Sequence, residues 1–200
     1  MNNMNKNLDI EFVRNKFPVF KNPKTKDLAF FENAGGTYVP DSVINKLNKF
    51  MTETKVQPYG DFSSSIEAGN EMDNSINKIA ELLNIEKDEF IIGPSTTMNM
   101  FLLSRAIKHW LNKGDEIIVT NQDHEANIGA WRKLADEEII VKEWSLNKDS
   151  AELEIDELKS LINENTKFIC VCHTSNIVAS INNLKEIVDL AHKNNIKVVG

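Results

Sequence analysis

The sequence predicts an α/β fold, a mostly parallel sheet with helices on its faces. Short apolar runs, Phe90-Ile91-Ile92, Ile117-Ile118-Val119, Ile139-Ile140-Val141, 167–172 and 196–200, alternate with helix-length amphipathic segments. That alternation lays parallel strands side by side through crossover helices. Three of the runs pass into polar loops, and open α/β sheets gather ligands beyond the carboxyl ends of their strands. With 200 residues, 41% of them hydrophobic, the chain can build one substantial core.

The composition excludes some partners. A net charge of −7 without a basic block argues against nucleic acid and anionic membrane. No apolar run approaches the ~18 residues of a spanning helix. The N-terminal MNNMNKNLDIEF lacks the apolar core of a secretory signal and the Arg-rich look of a transit peptide, so cytosolic residence is expected. Cys170 and Cys172 share one face of an expected strand, and no second pair or histidine cluster completes a metal site. They read as small core residues.

Residues 1–28 read as an arm and 29–200 as the body. Asp9 can cap a short helix bearing Ile10, Val13 and Phe17, stopped by Pro18, with Phe12, Phe17 and Phe20 packing inward. In Asn33-Ala34-Gly35-Gly36-Thr37 the paired glycines allow positive φ, a close backbone approach, or an ordinary turn. A helix over 41–54 presents Val43, Ile44, Leu47 and Phe50 or Met51. The next presents Met72, Ile76, Ile79, Ala80 and Leu83, and is expected to pack on the sheet.

The strand at 90–92 runs into Gly93-Pro94-Ser95-Thr96-Thr97 and a helix with Met100, Phe101, Ile107 and Trp110 facing in. Free N–H groups at such a helix start suit an anion, though Ser95 could equally cap only its own helix. After the strand at 117–119, His124 stands in a polar loop before a helix beginning near Ala126, either meeting a ligand or solvated. Further on, 139–144 is a strand, 153–162 a short helix, and Asp136-Glu137-Glu138 a solvated helix end. The strand at 167–172 ends in His173-Thr174-Ser175-Asn176, where Asn176 could hold its own turn or a ligand. A helix over 184–193 and a strand at 196–200 follow.

These phrases, in this order, resemble the class V aminotransferase family, pyridoxal 5'-phosphate enzymes that include cysteine desulfurases and selenocysteine lyases. Asp123-His124 with Asn127 and Trp131, the Ser95-Thr96-Thr97 turn, the His-x-Ser-Asn phrase ending in Asn176, and FENAGGTYVP carry the likeness. The resemblance implies part of the large domain of a fold-type I enzyme. It implies that Thr96, Thr97 and Ser95 hold the cofactor phosphate, His124 lies against the pyridine ring, and Asn176 meets the phenolic oxygen. Ser95 stands where glycine is commoner. Asn33, Ala34 and Gly35 would shape the substrate end, and Tyr59 replaces a histidine frequent before the following glycine.

The family's Schiff-base lysine, its pyridine-nitrogen aspartate and its smaller C-terminal domain match nothing before Gly200. The chain is therefore expected to be the N-terminal portion of a longer enzyme, and no catalytic residue is assigned within it. The resemblance further implies a homodimer, a small amino-acid substrate and a possible sulfur-acceptor protein. Cysteine desulfuration is the nearest reaction. Transamination, selenocysteine lysis and epimerisation remain alternatives, as does a truncated binding or dimerisation module. A nucleotide-binding domain is disfavoured, because neither G-x-x-x-x-G-K nor G-x-G-x-x-G is present.

Overall fold

Every residue of β1 (Glu116–Thr120) is buried, as a central parallel strand covered on both faces requires. In the computed structural model, which describes residues 8–200, β1 lies within a four-stranded sheet of order β2-β1-β3-β4. The neighbours are β2 (Ile140–Trp144), β3 (Thr166–Cys170) and β4 (Lys197–Val199). All pairings are parallel, with Ile117 beside both Val141 and Phe168, and Cys170 beside Val199. The chain leaves β1 for β2 on one side and returns to lay β3 on the other. The β1–β3 boundary is therefore the topological switch point.

Alternation along the strands divides the core. Ile117, Val119, Phe168 and Cys170 pack with Ile107 of α4 (Thr96–Lys108) and with Ile128 and Trp131 of α5 (Glu125–Arg132). Ile118, Ile169 and Val171 pack with Leu158 of α6 (Ile155–Leu161) and with Ile187 and Ala191 of α7 (Leu184–Lys193). Trp131 is fully buried and stacks on Phe168, with ring centroids 6.4 Å apart and planes 18° apart. The fold is thus the parallel sheet with flanking helices that the alternation predicts.

The chain divides into two compact units, Met1–Ile91 and Ile92–Gly200, and the sheet belongs to the second. In the first, Asp9 caps α1 (Ile10–Arg14) by accepting from the Phe12 N–H at 2.9 Å, as expected. The helix α2 (Asp41–Lys49) continues into a π-helical turn, Phe50–Thr54. The long α3 (Ser63–Leu83) is bridged to α2 by Lys46–Glu71 at 2.6 Å and Lys49–Glu67 at 2.7 Å.

Several expectations are corrected. Residues 90–92 form no strand. Ile91 and Ile92 are 86% and 64% exposed, and no described strand pairs with them. A short apolar run becomes a strand only where a neighbour supplies ladder partners. On α4 the inward line is Ser104 and Ile107, both buried, with Met100 half-buried beside them, so Phe101, one residue round the helix, is 43% exposed. Trp110 falls beyond the end of α4 and is likewise exposed. On α3 the buried residues are Ser65, Ala68, Gly69 and Ala80, while Met72 and Leu83 face solvent. Phe12 is also exposed, with Lys16 over its ring, whereas Phe17 and Phe20 meet edge to face.

Candidate cofactor site

Both strands at the switch point deliver polar loops to it, and buried amides lace those loops together. Ser175 Oγ donates to the Gln122 carbonyl at 2.6 Å. Asn182 Nδ2 donates to Gln122 Oε1 at 2.9 Å and to the Cys172 carbonyl at 2.8 Å. Gln122 Nε2 in turn reaches the Ala151 carbonyl at 2.9 Å, so this fully buried carboxamide is satisfied at both ends. Gln122 and Asn182 have little local signal in the sequence: one is an amide two residues past the end of β1, the other an amide beside the Asn183 that caps α7.

His124 is exposed and forms the N-cap of α5, its Nδ1 accepting from the Ala126 N–H at 2.9 Å. Beneath it Asp123 is buried. One carboxylate oxygen accepts from the His124 N–H at 2.6 Å and the other from Asn127 Nδ2 at 2.5 Å. Asn127 Oδ1 accepts from the indole N–H of Trp131 at 3.4 Å.

Asn176 is exposed as well. The turn-holding role open to it falls to Ser175, whose Oγ accepts from the N–H groups of Ile177 and Val178 at 3.2 Å each. The Asn176 carboxamide is thereby left out of the turn's own bonding.

At the start of α4, Ser95 serves its own helix, accepting from the Met98 N–H at 3.2 Å. Thr96 and Thr97 are exposed in the first turn, where backbone N–H groups have no intrahelical acceptor. Gly93, ahead of α4, has no room for a side chain, since a Cβ there would overlap the Asn99 carboxamide. The helices α4 and α5 pack against each other, so the Thr96 turn and the His124 cap belong to one body.

Asn33, Ala34 and Gly35 lie in the first unit. Asn33 Oδ1 accepts from the Thr37 hydroxyl at 3.2 Å, but the turn itself closes through the Glu32 carbonyl, which accepts from Gly35 and Gly36. Neither glycine has positive φ. At Gly35 the only near neighbour of a Cβ is the end of the exposed Glu32 side chain, 2.8 Å away, which can move aside, so the segment is an ordinary turn. Asn33, Phe30, Thr37 and Tyr38 line an open cavity of about 360 Å³; Ala34 and Gly35 do not.

Tyr59 donates to Asp73 at 2.9 Å, and this bond pushes the phenol above its ordinary pKa. Burial raises the Cys170 thiol, and raises Cys172 to about 11, the nearby Asp123 charge adding to both. Among the described residues no cluster of side chains could hold a metal ion.

A doubly covered parallel sheet whose switch point gathers exposed polar side chains on a laced, buried base is the arrangement beside which open α/β folds place their ligands. The chain belongs to the aminotransferase class-V family, whose model matches residues 29–199. It is 34% identical over 190 residues to an aminotransferase-like protein of Gibberella zeae, covering 92% of this chain and 46% of that protein. It is 30% identical over 195 residues to a cysteine desulfurase of Serratia proteamaculans, covering 95% and 48%. In fold it matches a cysteine desulfurase of Thermococcus onnurineus at a TM-score of 0.85 and 19% identity, over 94% of this chain and 46% of that one. The chain spans about half the length of the curated relatives it matches.

Proposed function

We propose that the protein is a pyridoxal 5'-phosphate enzyme of the cysteine desulfurase-like kind, acting on a small amino acid. The observation that carries this reading is the arrival of His124 and Asn176, both exposed, from the two strands that flank the switch point. The donor set suits the cofactor. The first-turn N–H groups of α4 and the hydroxyls of Thr96 and Thr97 fit a phosphate, with Ser95 keeping that turn in shape. The Asn176 amide fits a phenolic oxygen, and the flat imidazole of His124 fits the face of a pyridine ring.

When bound, the cofactor supplies an electron sink for charge developing at the substrate's α-carbon. The residues of this chain bind and orient it. The family resemblance assigns Asn33, Ala34 and Gly35 to the substrate end. Cys170 and Cys172, both held as thiols by burial, are not the sulfur nucleophile. Residues 29–200 form part of the cofactor-binding large domain, with 1–28 as an arm whose first seven residues lie outside the described ones. The enzyme works as a cytosolic homodimer that passes sulfur to an acceptor protein. Support for desulfuration over the family's other reactions comes from the relatives of that name.

Titration with pyridoxal phosphate, followed by its absorbance, tests the reading. Binding by the wild type and a loss of roughly tenfold in affinity for Thr97→Ala and for Asn176→Ala are expected, each removing a hydrogen bond to a charged group. A wild-type protein that binds no pyridoxal phosphate would sink it. Formation of alanine from cysteine by the loaded enzyme, with the sulfur recovered as sulfide on adding dithiothreitol, then separates desulfuration from transamination.

A further inference from the structure

We infer that Asp123, Asn127 and Trp131 form a one-way hydrogen-bond chain that positions His124, fixing the ring plane it offers to a ligand and leaving Nε2–H as a donor at the ring's edge. Only the identity of that ligand rests on the cofactor reading above.

The direction of the chain follows from its ends. The Trp131 indole can only donate, so Asn127 must offer it Oδ1 and turn Nδ2 toward Asp123. The Asp123 carboxylate can only accept, and its second oxygen takes the main-chain N–H of His124. The backbone of an exposed residue is thus anchored, through two buried side chains, on a fully buried tryptophan. With the backbone pinned there, His124 Nδ1 accepts from the Ala126 N–H at 2.9 Å. A nitrogen that accepts carries no proton, so the neutral ring holds its proton on Nε2. A solvated loop histidine would sample both tautomers and many ring planes. Asp123 and Asn127 are positioning residues, acting on the ligand only through His124.

The polarity of the chain supplies a test that a purely structural role would fail. Asp123→Asn places a donor where Asn127 also donates. Flipping Asn127 only moves that mismatch to Trp131. Adding Asn127→Asp repairs it, because the new carboxylate accepts both from the new amide and from the indole. The protein labelled with 15N-histidine is examined by two-bond 1H–15N correlation, the signal of His124 among four histidines being the one lost in His124→Gln.

The wild type is expected to show an accepting Nδ1 and a protonated Nε2 at His124. Asp123→Asn should give mixed tautomers and pyridoxal phosphate binding weakened roughly tenfold, and the double variant should restore both. Mixed tautomers in the wild type overturn the inference. So does a double variant that melts like the wild type yet leaves the tautomers mixed. If Asp123→Asn does not fold, the wild-type spectrum and the double variant still decide. The predicted tautomer with no pyridoxal phosphate binding upholds the positioning and removes the cofactor reading instead.

Discussion

The Asn182 carboxamide donates to the Gln122 carboxamide at 2.9 Å, joining residues 60 positions apart in sequence. Both side chains are buried, so each holds a loop that the other would otherwise leave short of a partner. The loop before His124 and the loop that carries Asn176 are therefore one mechanical body, and loosening either loosens both.

Asn182→Ala strands Gln122 Oε1 and the Cys172 carbonyl, and should cost about 2 kcal/mol. Gln122→Ala should cost a similar amount. Because they share one bond, the double variant should cost less than the sum by about 1 kcal/mol. Urea unfolding of the four proteins measures this, and additive losses would show the loops to be independent.

Thr120 ends β1 with its hydroxyl buried and without a partner, the one such side-chain atom among the described residues. Thr120→Val keeps the shape and removes the orphan. It should leave the fold unchanged and raise stability by about 1 kcal/mol, read as a higher urea midpoint.

The cysteines should be poor nucleophiles. With Cys172 raised to about 11, its thiolate is scarce at neutral pH, and iodoacetamide modification should accelerate only as pH climbs toward that value. Cys170, fully buried, should react only on unfolding. The sign for stability follows. Both thiols hold their protons more tightly folded than unfolded, so their contribution is complete below about pH 8.5, the ordinary thiol value. It is lost as pH rises through the raised values. Mass spectrometry of labelled protein across pH reads the first effect, and thermal melts above pH 9 the second.

Gly69 gives Tyr59 its place. A Cβ at 69 would come within 2.7 Å of the Tyr59 ring. Gly69→Ala should push the exposed ring off and break its bond to Asp73, while alanine's better helix propensity inside α3 offsets the loss to a net change of about 1 kcal/mol or less. In an ultraviolet titration Tyr59 should ionise above the ordinary phenol range in the wild type. It should fall back toward that range in the variant.

How much of this was legible in the sequence depended on how local its cause was. The Asp9 cap, the β1 run and α7 follow from a few neighbouring residues, and they were readable. The strand expected at 90–92 failed because pairing is set by a neighbour, which the run itself does not encode. The inward face of α4 was misjudged by one residue at Phe101, since hydrophobicity alone did not choose between adjacent positions. At the candidate site, His124 and Asn176 stood out by their phrases. Gln122 and Asn182 did not, because their meaning lies in meeting each other. Ser175, whose hydroxyl carries the turn, is no more conspicuous in sequence than Asn176 beside it.

The strand order also bears on how the chain assembles during synthesis. Of the four strands β1, one of the two inner ones, is the first to leave the ribosome, and β2 and β3 emerge later to settle on either flank. The fourth then finds β3 already in position. Each newcomer docks on an edge that exists, so the sheet can grow outward from its middle without a strand having to be inserted between two already paired.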